Sequence, residues 1–233
     1  MNAQSPGPAV TSRPSRVPVD PAHPEFGRLL HAANIIRHGG LVAYPTETFY
    51  GLGVLPSRAE ALDRLWRLKA REGGGPFLLL VPSAEGAAAV VRPEALRAVA
   101  FRALAERFWP GPLTLVLDGR EGLDRRLLGA DGGVAIRVSS HPVASRLVRV
   151  LGEPLTSTSA NLRGMPPARS PEEIRASGLD ASLDLVVCGG ETAGGRPSTV
   201  LRLIADRAVV LREGAVSREE IALCLAGCSI RVS

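Results

Sequence analysis

Lysine is almost absent from this 233-residue sequence: of its 28 basic residues only Lys69 is a lysine. A chain this biased toward arginine meets nearly every generic need for positive charge with a guanidinium. The one position that keeps lysine is expected to need a compact ammonium on a flexible stem, which a planar guanidinium cannot imitate. Aromatic residues amount to 4%, which argues against the base-stacking surfaces common in RNA binders. Three cysteines, Cys188, Cys224 and Cys228, cannot build a disulfide framework. No uninterrupted apolar run, Phe77 to Val81 included, approaches the ~20 residues of a membrane-spanning helix. Met1 to Pro24 has no apolar stretch resembling the core of a signal peptide. These absences point away from membrane, secreted and fibrous classes and toward a soluble cytoplasmic domain.

What is present is ordinary in amount and informative in arrangement. Apolar residues make up 45%, enough for one core, and the net charge of +5 favours anionic partners such as nucleotides or RNA. Residues 1–24 hold Pro6, Pro8, Pro14, Pro18, Pro21 and Pro24 and few large apolar groups. That composition predicts a disordered tail followed by one domain over 25–233. Phe26, Leu29, Leu30, Ala33 and Ile36 make a helical stripe stopped by Gly39-Gly40. Strands are predicted at Leu41–Tyr44, Phe77–Val81, Thr114–Leu117, Val134–Val138, Leu155–Thr158, Leu185–Cys188, Thr199–Leu203 and Ala208–Leu211. Helices are predicted at Pro93–Trp109 and Pro142–Leu151, and capping boxes at Ser57–Glu60, Ser170–Glu173 and Ser217–Glu220 open three more. Interleaved strands and helices predict a single α/β domain with a mostly covered sheet.

Cys224 and Cys228 lack further ligands at metal-site spacing and read as core residues; no metal site is expected. The histidines His23, His31, His38 and His141 are not accompanied by a nucleophile elbow, so a Ser-His-Asp hydrolase is not expected. Walker and dinucleotide signatures are missing too. Several segments nevertheless gather polar groups at strand ends, where open α/β sheets bind ligands. Tyr44 to Gly53 alternates hydroxyls and a carboxylate before a glycine turn. Lys69 extends the inward face of its helix, and Arg71 lies two residues on, so both cations can converge on one polyanion. Ser157 to Asn161 follows a buried strand with Ser, Thr, Ser and Asn. Gly194 to Thr199 and Val209 to Gly214 pair a hydroxyl turn with Arg212 at a strand end. Arg137 lies in an otherwise apolar strand, where a charge is costly without an anion to meet.

In order and spacing, Pro45-Thr-Glu-Thr-x-Tyr-Gly-Leu-Gly53, Lys69-x-Arg71, Trp109-Pro-Gly-Pro-Leu-Thr114, Val134-Ala-Ile-Arg137, Ser157-Thr-Ser-Ala-Asn161 and Pro197-Ser-Thr-Val200 resemble the YrdC-like family of threonylcarbamoyl-AMP synthases. The likeness runs from about Glu25 to about Ala215 and is closest to the short members without an appended C-terminal domain. One departure stands out: the family usually places proline after the arginine of Lys-x-Arg, and here Glu72 and three glycines precede Pro76. The resemblance implies a twisted sheet around a positively charged cleft. It implies synthesis of threonylcarbamoyl-AMP and pyrophosphate from L-threonine, bicarbonate or CO2, and ATP, with Mg2+ on the phosphates. By motif match, Lys69 and Arg71 would be catalytic and hold the triphosphate, while Ser159, Asn161 and Arg212 would fix the nucleotide. Thr46, Arg137, Ser157 and Ser198 would hold threonine. The implied partners are downstream tRNA threonylcarbamoyl-transfer proteins, with direct tRNA or double-stranded RNA binding open. Two other readings stand beside it: a non-catalytic RNA-binding module, and a related carbamoyl-transfer domain that takes another amine.

Overall fold

The computed structural model describes residues 14–69, 75–204, 207–228 and 230–233. The chain opens with strand β1 (Ser15–Pro18) and helix α1 (Phe26–Arg37), then the hairpin β2 (Val42–Pro45) and β3 (Tyr50–Gly53). Helix α2 (Ala59–Leu68) and the short β4 (Leu79–Leu80) follow, then α3 (Pro93–Arg97), α4 (Val99–Phe108), β5 (Leu113–Asp118) and β6 (Gly133–Arg137). Helix α5 (Pro142–Leu151) leads into β7 (Leu155–Thr156) and β8 (Thr158–Ser159). The last part holds α6 (Pro171–Ala176), β9 (Leu185–Cys188), β10 (Thr199–Ile204), β11 (Arg207–Arg212), α7 (Arg218–Leu225) and β12 (Arg231–Val232).

The α/β class is as expected, but the strands divide between two mixed sheets. One runs β1-β9-β2-β3-β8 and the other β12-β11-β10-β5-β6-β4-β7. Each sheet obeys the two-residue alternation of a strand. Along β5, Leu113, Leu115 and Leu117 enter the main core, while Thr114 and Val116 face the opposite way. Along β6, Val134 and Ile136 are core and Gly133, Ala135 and Arg137 take the other face. A second core lies where α1 and α5 pack together over β2 and β9, with Leu29, Ile36, Val42, Leu147 and Val187 at its centre.

Four local expectations change. Residues 15–18, placed in the disordered tail, form β1, which pairs in parallel with Leu185–Cys188 of β9. Proline is tolerated on such an edge strand, and Val17 and Val19 bury against the second core. Residues 1–13 of the expected tail lie outside the described residues. The helix expected over Pro93–Trp109 breaks at Ala98, whose ψ of 134° is extended, so that α4 alone turns Phe101, Leu104 and Phe108 into the core. Ser57 does not cap α2: its hydroxyl donates to Glu153 instead, and the helix starts after Arg58. The glycine turn expected after Phe49 is strand β3, antiparallel to β2. Ser217 and Glu220 do form a reciprocal capping box, and the Ser170 hydroxyl accepts from the Glu173 amide.

Candidate functional site

A cavity of about 620 Å³ lies between the two sheets. One wall is the outward face of β5, β6, β10 and β11; the other is the β2–β3 turn, β3 and β8. Gly133 and Ala135 keep the first wall shallow. Gly51 does the same opposite, since a Cβ there would come 2.8 Å from the Ser157 hydroxyl oxygen.

The structure brings Thr46, Arg137, Ser157, Ser159, Ser198 and Arg212 onto this one cavity. Thr46 follows β2 in a tight turn, where its hydroxyl donates to the Phe49 carbonyl at 2.6 Å. Arg137 ends β6 and is only 3% exposed. Ser157 sits between β7 and β8, tied through its amide to the Leu78 carbonyl at 2.8 Å. Ser198 precedes β10, with its hydroxyl 3.0 Å from that of Thr114. Arg212 ends β11 and donates to the Ser198 carbonyl at 2.8 Å. Beneath that contact Gly214 is obligatory, because a Cβ would lie 2.1 Å from the Pro197 carbonyl oxygen.

Lys69 closes α2 and reaches the same strand end from behind. Its ammonium donates to the Ser159 carbonyl at 2.9 Å, the Asn161 carbonyl at 2.8 Å and Asn161 Oδ1 at 2.7 Å. Asn161 Oδ1 also accepts from the Ser159 hydroxyl at 2.6 Å. Three oxygens converging from different directions suit a compact ammonium better than a flat fork. Arg71 and Glu72 lie outside the described residues.

Among the described residues, Arg137 and Arg212 are the basic side chains on the cavity lining. Burial, and then the nearby charge of Arg137, lower the pKa of Arg212 from its ordinary value. Asp131 lines the cavity elsewhere. The Gly133 amide, and next the Arg202 guanidinium 2.8 Å from Oδ2, hold its carboxyl below the usual range.

Motif reasoning left Glu47 without a role. Its carboxylate lies against Arg137, with Oε1 3.5 Å from Nη1, and its other oxygen accepts a short hydrogen bond from the Ser139 hydroxyl. Among the described residues, Glu47 Oε1 and Arg137 Nε are the buried side-chain polar atoms with no hydrogen-bond partner. The signal was in the sequence, since Glu47 is the carboxylate inside the Pro45–Thr48 turn. Thr114 and Ser139 carried no comparable signal: a hydroxyl in or after a strand is common. The cysteines are half-buried, with Cys224 and Cys228 packed against the main core.

The sequence profile of the Sua5/YciO/YrdC family, described as "Telomere recombination", matches residues 34–214. A threonylcarbamoyl-AMP synthase of Pyrococcus abyssi is 37% identical over 192 residues, 82% of this chain and 55% of that protein. The crystal structure of P. abyssi Sua5 complexed with L-threonine superposes with a TM-score of 0.83 at 34% identity, covering 94% of this chain and 62% of that one. Escherichia coli YciO superposes with a TM-score of 0.78 at 32% identity, covering 89% of this chain and 99% of its own. The chain thus spans about half the length of the first curated relatives it matches, 55% of each. With 34–214 matched and the two-sheet architecture shared, the chain belongs to the Sua5/YciO/YrdC family.

Proposed function

We propose that this chain makes threonylcarbamoyl-AMP from L-threonine, bicarbonate or CO2, and ATP, releasing pyrophosphate. The observation that carries the reading is Arg137: a guanidinium 3% exposed, set in a cavity wall among hydroxyls. Glu47 balances this charge from one side at 3.5 Å, and the part of the guanidinium that lines the cavity can meet a ligand anion in a charge-assisted pair. A small amino acid offers that anion as its carboxylate, and Thr46, Ser157 and Ser198 lie on the same cavity to receive its polar groups. The name of the Pyrococcus relative, and the L-threonine in the Pyrococcus structure, support the same choice.

The chemistry asks for positioning more than for a nucleophile. Threonine's amine and CO2 give a carbamate, one oxygen of which attacks the α-phosphorus while pyrophosphate leaves. Arg137 would fix the carboxylate. Ser159 and Asn161 would hold the nucleotide with help from Arg212, and Lys69 with Arg71 would meet the triphosphate and the charge growing on the leaving group. Lys69 already links α2 to the Ser159–Asn161 turn, so phosphate would exchange for one of its present oxygens. Magnesium enters with the substrate, on the phosphates. A resident site does not fit, because no three His, Cys, Asp or Glu converge among the described residues. Threonylcarbamoyl transfer to tRNA by other proteins would consume the product. No helix of the described residues is long and apolar enough to cross a membrane, consistent with the cytoplasmic setting such a role requires.

Pyrophosphate release measured with and without threonine, and with and without bicarbonate, tests the proposal. Release that depends on both supports it. Equal release with another amine would favour a related carbamoyl transfer.

A further inference from the structure

We infer that Glu47 is a positioning residue for Arg137, and that the direction of one proton, on Ser139, makes its charge indispensable. The inference rests on the functional reading above. It begins from two orphan atoms: Glu47 Oε1 and Arg137 Nε are both buried without a hydrogen-bond partner, and they belong to side chains in contact. Arg137 faces the cavity, whereas Glu47 lies behind it and is not on the cavity wall. Glu47 therefore acts through Arg137.

A chain of donors fixes the carboxylate. The His141 amide, at the start of α5, donates to the Ser139 hydroxyl oxygen at 3.2 Å. A carboxylate only accepts, so the Ser139 proton is turned to the second Glu47 oxygen, with which it makes a short hydrogen bond. Oε1 is then left facing Arg137 Nη1 at 3.5 Å, as an acceptor facing a donor. It holds the guanidinium by charge rather than by a tight fork, and Arg137 keeps its place on the cavity wall. Arg212, a second cation near Arg137, adds to the need for a counter-charge. His141 and the buried Tyr44 are further titratable groups near the carboxylate.

Replacing Glu47 by glutamine turns this arrangement against itself. Turning the Ser139 proton away from residue 47 would leave that buried donor without its acceptor, so the amide oxygen takes the Ser139 side and the NH2 faces Arg137 Nη1. Two donors then stand where an acceptor met a donor, and the guanidinium is pushed from its place. Removing the hydroxyl as well lets the amide flip and restores an acceptor to Arg137. Glu47→Gln is thus predicted to be harmful, and Glu47→Gln with Ser139→Ala less so.

The experiment is steady-state kinetics on the full chain, with threonine and ATP varied separately and melting temperatures recorded. Glu47→Gln is expected to raise the threonine KM about tenfold, with the ATP KM and kcat within about twofold, and the double variant to recover at least threefold of that rise. A threonine KM in Glu47→Gln equal to wild type, equal rises in both KM values, or no recovery in the double variant overturns the positioning role while leaving the functional reading intact. Wild-type protein without threonine-dependent pyrophosphate release overturns the functional reading and this inference together.

Discussion

Among single residues, Arg137 and Lys69 illustrate two ways in which a charge can be read from sequence. Arg137 was legible because a guanidinium interrupts an apolar strand, and the structure places it 3% exposed on the cavity. Its partner Glu47 lies in the Pro45–Thr48 turn, and spacing does not reveal which strand end a turn will face. Hydrogen bonds to charged groups are worth ~1.5–3 kcal/mol, so Arg137→Ala is expected to raise the threonine KM by about 10- to 150-fold and the ATP KM much less. Initial rates over a threonine series at saturating ATP, then the reverse, check this; equal rises in both constants would make the arginine structural. Lys69 was legible as the lone lysine, and its three converging oxygens give that oddity a physical cause. Lys69→Arg keeps the charge but cannot aim three donors the same way. We expect a rate loss of about thirty- to a thousand-fold, the range for one preorganised electrostatic donor, while the circular dichroism spectrum stays that of wild type. Wild-type rates in that variant would reduce the lone lysine to an accident of composition.

Whole elements were legible where one physical signal acted alone. Helix α5 and strand β9 fall where periodicity placed them, Pro142–Leu151 and Leu185–Cys188. Misses came where tertiary pairing overrode local composition. Pro14 and Pro18 made residues 15–18 read as tail, yet an edge position in the sheet needs fewer donors and two valines reach the core. Truncation through Val19 is therefore expected to lower the melting temperature by about 3–10 °C, from ~1–3 kcal/mol of lost apolar burial and pairing. A thermal melt identical to the full chain would show that β1 adds nothing. Helix α5 carries a pH dependence of its own. His141 caps it by accepting from the Val143 amide through Nδ1 at 3.2 Å, a role open only to the neutral ring. Burial, the larger cause, lowers the His141 pKa below its ordinary 6.5 despite the opposing charge of Glu47. The unfolded chain then binds more protons in the window just below 6.5, so this stabilisation is complete above that pH and lost as pH falls through the folded value. His141→Asn, which can cap without titrating, should flatten the melting temperature between about pH 7.5 and 5; an unchanged slope would assign the pH dependence to other groups.

For the whole molecule, the α/β class and the gathering of distant motifs were legible, and the two-sheet construction was not. Alternation along β5 and β6 says which residues face together, but the same alternation fits one covered sheet or two sheets around a cavity. Only the pairing of β8 with β3, and of β4 with β6 and β7, separates them, and strands of two residues leave too little pattern to find. Once the sheets are in place, the strand ends bring Thr46, Arg137, Ser157, Ser198 and Arg212, far apart in sequence, around one space of about 620 Å³. In the proposed reaction this space joins an amino-acid carbamate to ATP. Its most direct measurement is pyrophosphate released from ATP by the purified chain, with threonine and bicarbonate each present or withheld. Release is expected only when both are present, with the adenylate detected by mass at the threonylcarbamoyl-AMP value; ATP turnover indifferent to threonine, or none under any of the four conditions, would rule the proposed reaction out.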